Sequence, residues 1–370
     1  MGKLVIYVDS LSRGGAEHVS VTVADYAAHH GIECILLTER ILQNEYPVPK
    51  GVKRISLELD HCGNKYFHYL SNVSRLRSKL KEIKPDRLLV MDTPGCLLAI
   101  PATRGLPIRV IVSERNDPNH FPGKNVVKHI SRTLMKYADG FVFQTEDAKK
   151  FYDKKLRNRG TVIYNPLYIE KLPTIYNGRR AKKIVTMGRL SEQKNQKILI
   201  EAFSKIEGAY PEYELIIYGE GSLRETLEKQ VRDLGIEQKV KLPGNDANVL
   251  EKIRDAGIFV LSSNYEGMPN ALIEAMALGI PSISTDCPCG GPKTLVQPYI
   301  NGLLFPVEDV DALVSCIKYF IENEEKANEI GMRATEIRTL LASNRICEEW
   351  SKYIWACLLY TSDAADDLIG

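Results

Sequence analysis

Residues 266–274 read Glu266-Gly267-Met268-Pro269-Asn270-Ala271-Leu272-Ile273-Glu274, and the surrounding chain is best read outward from them. Pro269 suits a first helical turn, where its missing N–H is not needed. The apolar run behind it predicts a helix over 270–278, stopped by Gly279-Ile280-Pro281. Glu266 then falls in the loop before the helix and Glu274 about one turn inside it. The first-turn N–H groups are unpaired, lie at the positive end of the helix dipole and face the same space. Such a place suits a diphosphate with polyols on either side. Two glutamates at this spacing are common on any helix. Predicted strands at 258–262 and 280–285 flank this pair, however, and put it at the carboxyl end of a strand in a βαβ unit, where open α/β sheets bind ligands.

The same alternation runs along most of the chain. Strands are predicted at 4–8, 34–37, 87–91, 110–112, 141–143 and 161–164, with helices at 17–29, 69–84, 126–137 and 145–152. Residues 167–180 are polar and without period, as in a linker. A second series follows, with strands at 184–187, 214–218, 240–242, 258–261 and 282–285 and helices at 195–206, 222–234, 248–255 and 270–278. Three closing helices, 311–322, 325–340 and 344–355, are assigned to this second half. The expected architecture is α/β: two Rossmann-like parallel-sheet domains, 1–166 and 181–356, facing across a cleft. Residues 357–370 (CLLYTSDAADDLIG) read as a translated sequencing-adapter scar and are set apart as a non-native tail.

Composition narrows the class. With 370 residues, 44% hydrophobic and 26% charged, the chain has the balance of a globular protein with ample core. The net charge of +2 is unevenly spread. Residues 1–180 hold 29 Lys and Arg against 18 Asp and Glu, whereas the remainder is acidic. A basic first half suggests an anionic partner such as a membrane surface. The eight cysteines are scattered, which argues against both a disulfide framework and a zinc site and fits a cytoplasmic location. No apolar run is long enough to span a bilayer, and residues 4–8 are too short for a signal-peptide core.

Further strand ends carry chemistry. Ser12-Arg13-Gly14-Gly15-Ala16-Glu17 follows the first strand, and its paired glycines allow backbone N–H groups close to a phosphate. The spacing is not that of a dinucleotide fingerprint. Arg189 and Lys194, in Gly188-Arg189-Leu190-Ser191-Glu192-Gln193-Lys194, offer a planar fork and a point charge to a diphosphate. Tyr218-Gly219-Glu220-Gly221, then Leu242-Pro243-Gly244-Asn245, then Cys287-Pro288-Cys289-Gly290-Gly291-Pro292-Lys293 end three more strands.

Together these stretches resemble glycosyltransferase family 4, of GT-B fold, over nearly the whole chain to about Trp355. The resemblance implies transfer of a sugar from a nucleotide donor with retention of configuration and without a metal cofactor. It implies that Arg189 and Lys194 bind the donor diphosphate and that Glu274 binds the ribose hydroxyls. Glu266 and Gly267 would face the donor sugar, with backbone N–H groups of Asn270 and Ala271. Gly219, Glu220 and Asn245 would line the base and ribose, and Gly14 and Gly15 would reach the phosphates from the other domain. Many relatives carry a histidine after the strand that here ends Ser113-Glu114-Arg115-Asn116-Asp117-Pro118. This form resembles transferases that build capsular or polyprenyl-diphosphate-linked glycans. Arg115, Asn116 and His120 become acceptor-side candidates, with His120 the substitute histidine.

Lys124, Lys128, Arg132 and Lys136 recur every fourth residue on one predicted helix face, a surface for anionic headgroups or an acceptor diphosphate. Asp309-Val310-Asp311 has the spacing of a metal-binding pair but reads as a helix cap. The expected function is therefore a retaining transferase acting peripherally on the inner face of the cytoplasmic membrane. It would move a hexose or N-acetylhexosamine from a UDP-sugar to a glycan or polyprenyl-diphosphate-linked acceptor, with Glu266, Arg189 and Lys194 as catalytic groups. No cofactor, no metal and no nucleic-acid partner is expected. No protein base stands out among these motifs, which leaves the departing phosphate oxygen to take the acceptor proton. A nucleotide-sugar epimerase or hydrolase, and a non-catalytic nucleotide-sugar-binding subunit, are the alternatives.

Overall fold

The computed structural model describes residues 2–12, 14–59, 65–120 and 125–356. Arg13, Lys124 and the 357–370 tail, all named above, lie outside the described residues. The chain divides into two compact units, Met1–Pro166 with Ser343–Gly370, and Leu167–Ala342.

In the first unit the strands are β1 (Lys3–Val8), β2 (Glu33–Thr38), β3 (Lys53–Ser56), β4 (Arg87–Val90), β5 (Arg109–Ser113), β6 (Gly140–Phe143) and β7 (Gly160–Val162). They pair in parallel in the order β3-β2-β1-β4-β5-β6-β7. Central strands such as β1 and β4 read as continuous apolar runs because helices cover both sheet faces. β3 has no predicted counterpart. Its Lys-Arg-Ile-Ser sequence sits half-exposed at the sheet edge, and backbone pairing to β2 rather than a buried face makes it a strand. The helix Cys96–Thr103 was hidden for a different reason: it is apolar all round and contains Pro101.

The second unit holds β8 (Ala181–Met187), β9 (Glu214–Tyr218), β10 (Val240–Gly244), β11 (Ala256–Leu261), β12 (Ser282–Thr285) and β13 (Leu303–Phe305), all parallel, in the order β10-β9-β8-β11-β12-β13. Phe203, Ile217, Leu227, Val260, Ile283 and Phe320 form the centre of its core. In both sheets the strand order reverses beside the unit's first strand, between β1 and β4 and between β8 and β11. Those reversals open the crevices where doubly wound sheets take ligands.

The expected domain boundaries need two corrections. Helix Ser343–Ala356 belongs to the first unit, not the second. Its apolar stripe of Ile346, Cys347, Trp350 and Ile354 is buried. Cys347 Sγ lies 3.8 Å from the Thr22 carbonyl, and Arg87 Nε donates to the Ile354 carbonyl at 3.0 Å. Chain order suggested the second half, but the buried stripe decides the partner. Residues 167–180, expected as a separate linker, join the second unit, where Leu167 N–H donates to the Leu341 carbonyl at 2.7 Å. The helix expected over 325–340 is two, Glu324–Ala334 and Ile337–Leu340. Among the described residues no helix is long and apolar enough to cross a membrane.

Candidate active site

The loops that leave β8 and β11, neighbours at the reversal, are fastened together by polar side chains. Ser262 Oγ donates to the Lys194 carbonyl at 3.0 Å, and Asn195 Nδ2 to Asn264 Oδ1 at 2.8 Å. Gln193 Nε2 donates to the Tyr265 carbonyl at 3.1 Å, and Asn264 N–H returns to the Gln193 carbonyl at 2.8 Å. This fastening brings Lys194 Nζ to 2.5 Å from Glu266 Oε1, although 72 residues separate them in sequence. Ser263 Oγ donates to the same oxygen at 2.6 Å. Glu266 is buried, so these two donors rather than water satisfy that oxygen. A buried ion pair is a weak source of stability, and its position at two strand ends in the reversal crevice points to chemistry instead.

The loop after β12 supports the Glu266 loop from the other side. Glu266 N–H donates to the Pro288 carbonyl at 2.7 Å, and Cys289 N–H to the Glu266 carbonyl at 3.0 Å. A Cβ on Gly291 would overlap the Gly267 carbonyl, so the two loops meet backbone to backbone. Helix Asn270–Ala277 starts from this junction with Pro269 at its N-cap, and no side chain caps that end. Glu274 lies on the helix, half-buried. Among the described residues no hydrogen bond or ion pair is recorded for it, and burial pushes its carboxyl up to about 7. The helix's other end is held firmly. Gly279 takes the left-handed conformation (φ 72°), Arg180 donates to its carbonyl, and Arg338 Nη1 donates to the Ala277 carbonyl at 3.1 Å.

Arg189 is exposed, and its guanidinium makes no ion pair among the described residues. Its carbonyl accepts from Gln196 Nε2 at 3.0 Å, which fixes the loop beneath it. Gly219, at the end of β9, lets the backbones of β8 and β9 touch, since a Cβ there would overlap the Gly188 carbonyl. Glu220 is exposed, and Arg224 Nη1 donates to its Oε1 at 2.7 Å. Asn245 is exposed after β10. Asp309 caps the helix Val310–Glu322 by accepting from Ala312 N–H at 2.8 Å, and Asp311 pairs with Lys205 at 2.8 Å. Among the described residues no three His, Cys, Asp or Glu side chains are placed to hold a metal ion.

In the first unit, Gly14 is the N-cap of helix Gly15–His29 without a side-chain cap. The Glu17 carboxylate folds back against its Cα. Arg115 donates to the buried Asn165, and burial lowers its guanidinium to about 9. Asn116 Oδ1 accepts from Asp117 N–H at 2.9 Å. His120 Nδ1 lies 2.6 Å from the buried Asp117 carboxylate, which ties the expected substitute histidine to its own loop. The basic face of helix Asn125–Met135 is also turned inward in part. Lys128 donates to the Asn119 carbonyl at 2.8 Å, Arg132 to that of Pro118, and Lys136 lies 3.9 Å from Asp153. Val126, Ile130 and Tyr137 are exposed instead.

Sequence reading passed over Ser263, although Ser262-Ser263-Asn264 directly after a buried strand was its signal. It also passed over Asp92 and Glu114, at the ends of β4 and β5. Glu114 is buried and accepts from Tyr152 OH at 2.6 Å and Thr93 Oγ1 at 2.7 Å.

Comparison with known proteins shows the family of the chain. Residues 13–171 fit the model described as Glycosyltransferase Family 4, and residues 175–337 that of Glycosyl transferases group 1. A lipopolysaccharide 1,6-galactosyltransferase of Salmonella typhimurium is 31% identical over 67% of this chain and 68% of its own length. The chain belongs to glycosyltransferase family 4. A second relative of this family 4 enzyme spans nearly all of it, at 27% identity over 96% of the chain and 98% of its own length. That protein, from Campylobacter jejuni, is an alpha-1,4-N-acetyl-D-galactosaminyltransferase acting on a diNAcBac-PP-undecaprenol-linked saccharide. Among solved structures, HepE of Anabaena in complex with UDP superposes with a TM-score of 0.77 at 19% identity, covering 95% of this chain and 99% of that one. The family 4 chain therefore has the GT-B fold, two parallel-sheet α/β domains.

Proposed function

We propose that this glycosyltransferase moves a hexose or N-acetylhexosamine from a UDP-sugar, with retention, to a glycan carried on a polyprenyl diphosphate, in bacterial surface-glycan synthesis. The observation that carries the reading is the Lys194–Glu266 pair beside the uncapped N-terminus of Asn270–Ala277, with Glu274, unpartnered among the described residues, one turn along. Arg189, Lys194 and the helix tip neutralise the diphosphate as it departs, a charge larger in the transition state than in the bound donor. Glu274 accepts the ribose hydroxyls, which fits a half-buried carboxylate with no partner among the described residues. Glu266, held by Lys194 and Ser263, presents its remaining oxygen to the donor sugar and favours positive charge at the anomeric carbon. Neutralisation by protein groups makes a metal unnecessary.

The acceptor assignment draws on the Campylobacter relative and on the basic first half. The enzyme docks peripherally on the inner face of the cytoplasmic membrane through helix Asn125–Met135, where Val126 and Ile130 enter the interface and Lys136, just past the helix end, meets anionic headgroups.

A thermal-shift screen of UDP-sugars tests the donor, because a ligand that binds only the folded state raises its melting temperature by mass action. Transfer of the selected sugar to a polyprenyl-diphosphate-linked saccharide is the expected product. Free sugar or an isomerised donor in its place would show a hydrolase or an epimerase, and binding without turnover a non-catalytic subunit.

A further inference from the structure

Two unlike donors meet on the same oxygen of Glu266. Lys194 Nζ lies 2.5 Å from Oε1 and Ser263 Oγ 2.6 Å from it. A lysine ammonium is a mobile point charge on a flexible stem, so it attracts the carboxylate without fixing its plane. In the proposed reaction Lys194 also serves the departing diphosphate, which weakens its hold on Glu266 at the moment when orientation matters most. Ser263 reaches its hydroxyl through a single rotatable bond and is fully enclosed. The Glu266 backbone is already fixed by Pro288 and Cys289, so what Ser263 adds is the direction of the side chain.

Ser263 is itself gripped. Thr285, the last residue of β12, donates its Oγ1 to the Ser263 carbonyl at 2.6 Å. Thr285 is as fully enclosed as Ser263, and its β-branched side chain has few rotamers open to it. The neighbours of Ser263 are tied the other way, to the loop after β8. Ser262 Oγ donates to the Lys194 carbonyl at 3.0 Å, and Asn264 N–H to the Gln193 carbonyl at 2.8 Å. The Cys287 thiol stands within hydrogen-bond reach of Thr285. Burial, and then the Glu266 charge, push it up to about 12, so it remains a neutral thiol and adds no charge to the group. All of these residues lie in the second unit.

We infer that Thr285 and Ser263 form a hydroxyl relay that aims Glu266 at the donor sugar, with Thr285 setting Ser263 and Ser263 setting the carboxylate. The inference rests on the transferase reading above. Both are positioning residues: they act on the reaction through Glu266 and touch no reacting atom. With Oε1 held from the β12 side, Oε2 is the oxygen left to face the anomeric carbon as positive charge develops there. A carboxylate that loses the relay keeps its charge and its lysine but not its direction.

The test compares wild type with Ser263→Ala, Thr285→Val, Thr285→Ser and the double variant Ser263→Ala with Thr285→Val. A panel of UDP-hexoses and UDP-N-acetylhexosamines is supplied with a polyprenyl-diphosphate-linked saccharide, and kcat, KM for the UDP-sugar and UDP affinity are measured. Ser263→Ala is expected to lower kcat by on the order of 10-fold to 10²-fold, the cost of a misdirected group. Thr285→Val gives a smaller loss, and Thr285→Ser, which keeps the hydroxyl, recovers most of it. UDP affinity and KM stay near wild type in all of them. Because the two hydroxyls act in series, the double variant is no slower than Ser263→Ala alone. An unchanged kcat in Ser263→Ala overturns this inference alone. So do losses that multiply in the double variant, a fall in UDP affinity as large as the fall in kcat, or a Thr285→Ser enzyme as slow as Thr285→Val. Absence of wild-type transfer to any acceptor overturns the functional reading and this inference together.

Discussion

Arg189 and Lys194 are separated by five positions in sequence yet meet different surroundings, and their variants should differ accordingly. Each is expected to lose on the order of 10²-fold in kcat when changed to Ala, because each removes charge stabilisation made in the transition state. Arg189 is exposed and unpaired among the described residues, so Arg189→Ala should melt like wild type. Lys194→Ala leaves Glu266, among the described residues, with only Ser263 as its side-chain donor, so a lowered melting temperature should accompany the lost turnover. An active Arg189→Ala with normal melting would remove the diphosphate from this crevice. Glu274 gives a pH-dependent counterpart. Its folded carboxyl, near 7, lies above its ordinary value of 4.5, so its contribution to stability is full below 4.5 and is lost as pH rises through 7. Ribose hydroxyls donating to the carboxylate favour its ionised form. UDP binding should therefore release a proton and tighten between pH 6 and pH 8, roughly in step with ionisation. Calorimetry in buffers of different ionisation enthalpy measures that release, which Glu274→Gln should abolish.

The helix Asn270–Ala277 works because both of its ends are constrained. Its N-terminus meets the loops at Glu266 and Gly291, and its C-terminus is clamped by Arg180 and Arg338. Arg180 also donates to Asn328 Oδ1 at 3.0 Å and to the Arg254 and Ala256 carbonyls at 3.2 Å. Arg180→Ala strands those acceptors, and a loss of about 3 kcal/mol is expected, seen as a lower denaturation midpoint. An unchanged midpoint would show that water replaces the guanidinium at no cost. Helix Asn125–Met135 presents the opposite situation, with apolar residues turned out and two of its cations turned in. Val126→Ser with Ile130→Ser should weaken binding to anionic liposomes without touching the carbonyls that Lys128 and Arg132 hold. Binding should also fade as salt is raised. Equal sedimentation of the double variant and wild type would make a soluble acceptor the better reading.

At the scale of the whole chain, the second unit carries Arg189 and Lys194 at the strand ends proposed to take the donor, so transfer should survive EDTA. Loss of activity with EDTA and its recovery with Mn²⁺ or Mg²⁺ would assign the diphosphate to a metal and revive Asp309 and Asp311 as ligands. The division into units also bears on how the chain can be cut. Since helix Ser343–Ala356 buries Trp350 in the first unit, the sheet β1–β7 depends on residues from the far end of the sequence.

The sequence by itself determined two parallel sheets and the loops that bear their chemistry. Buried parallel strands must be apolar throughout, and strand ends that admit a ligand must carry glycine and polar residues, so both are local signals. The Glu266–Glu274 spacing and the Arg189–Lys194 loop were legible for that reason. What depended on distant pairing was not legible. β3 and β13 are strands because a neighbour's backbone makes them so, and the last helix changes unit because its buried stripe fits there. Only the tertiary structure decided that Lys194 meets Glu266 and that Ser263 shares the bond. Each is a fact of three-dimensional distance in a desolvated place, where the partner a charge finds decides whether it holds the fold or meets a ligand.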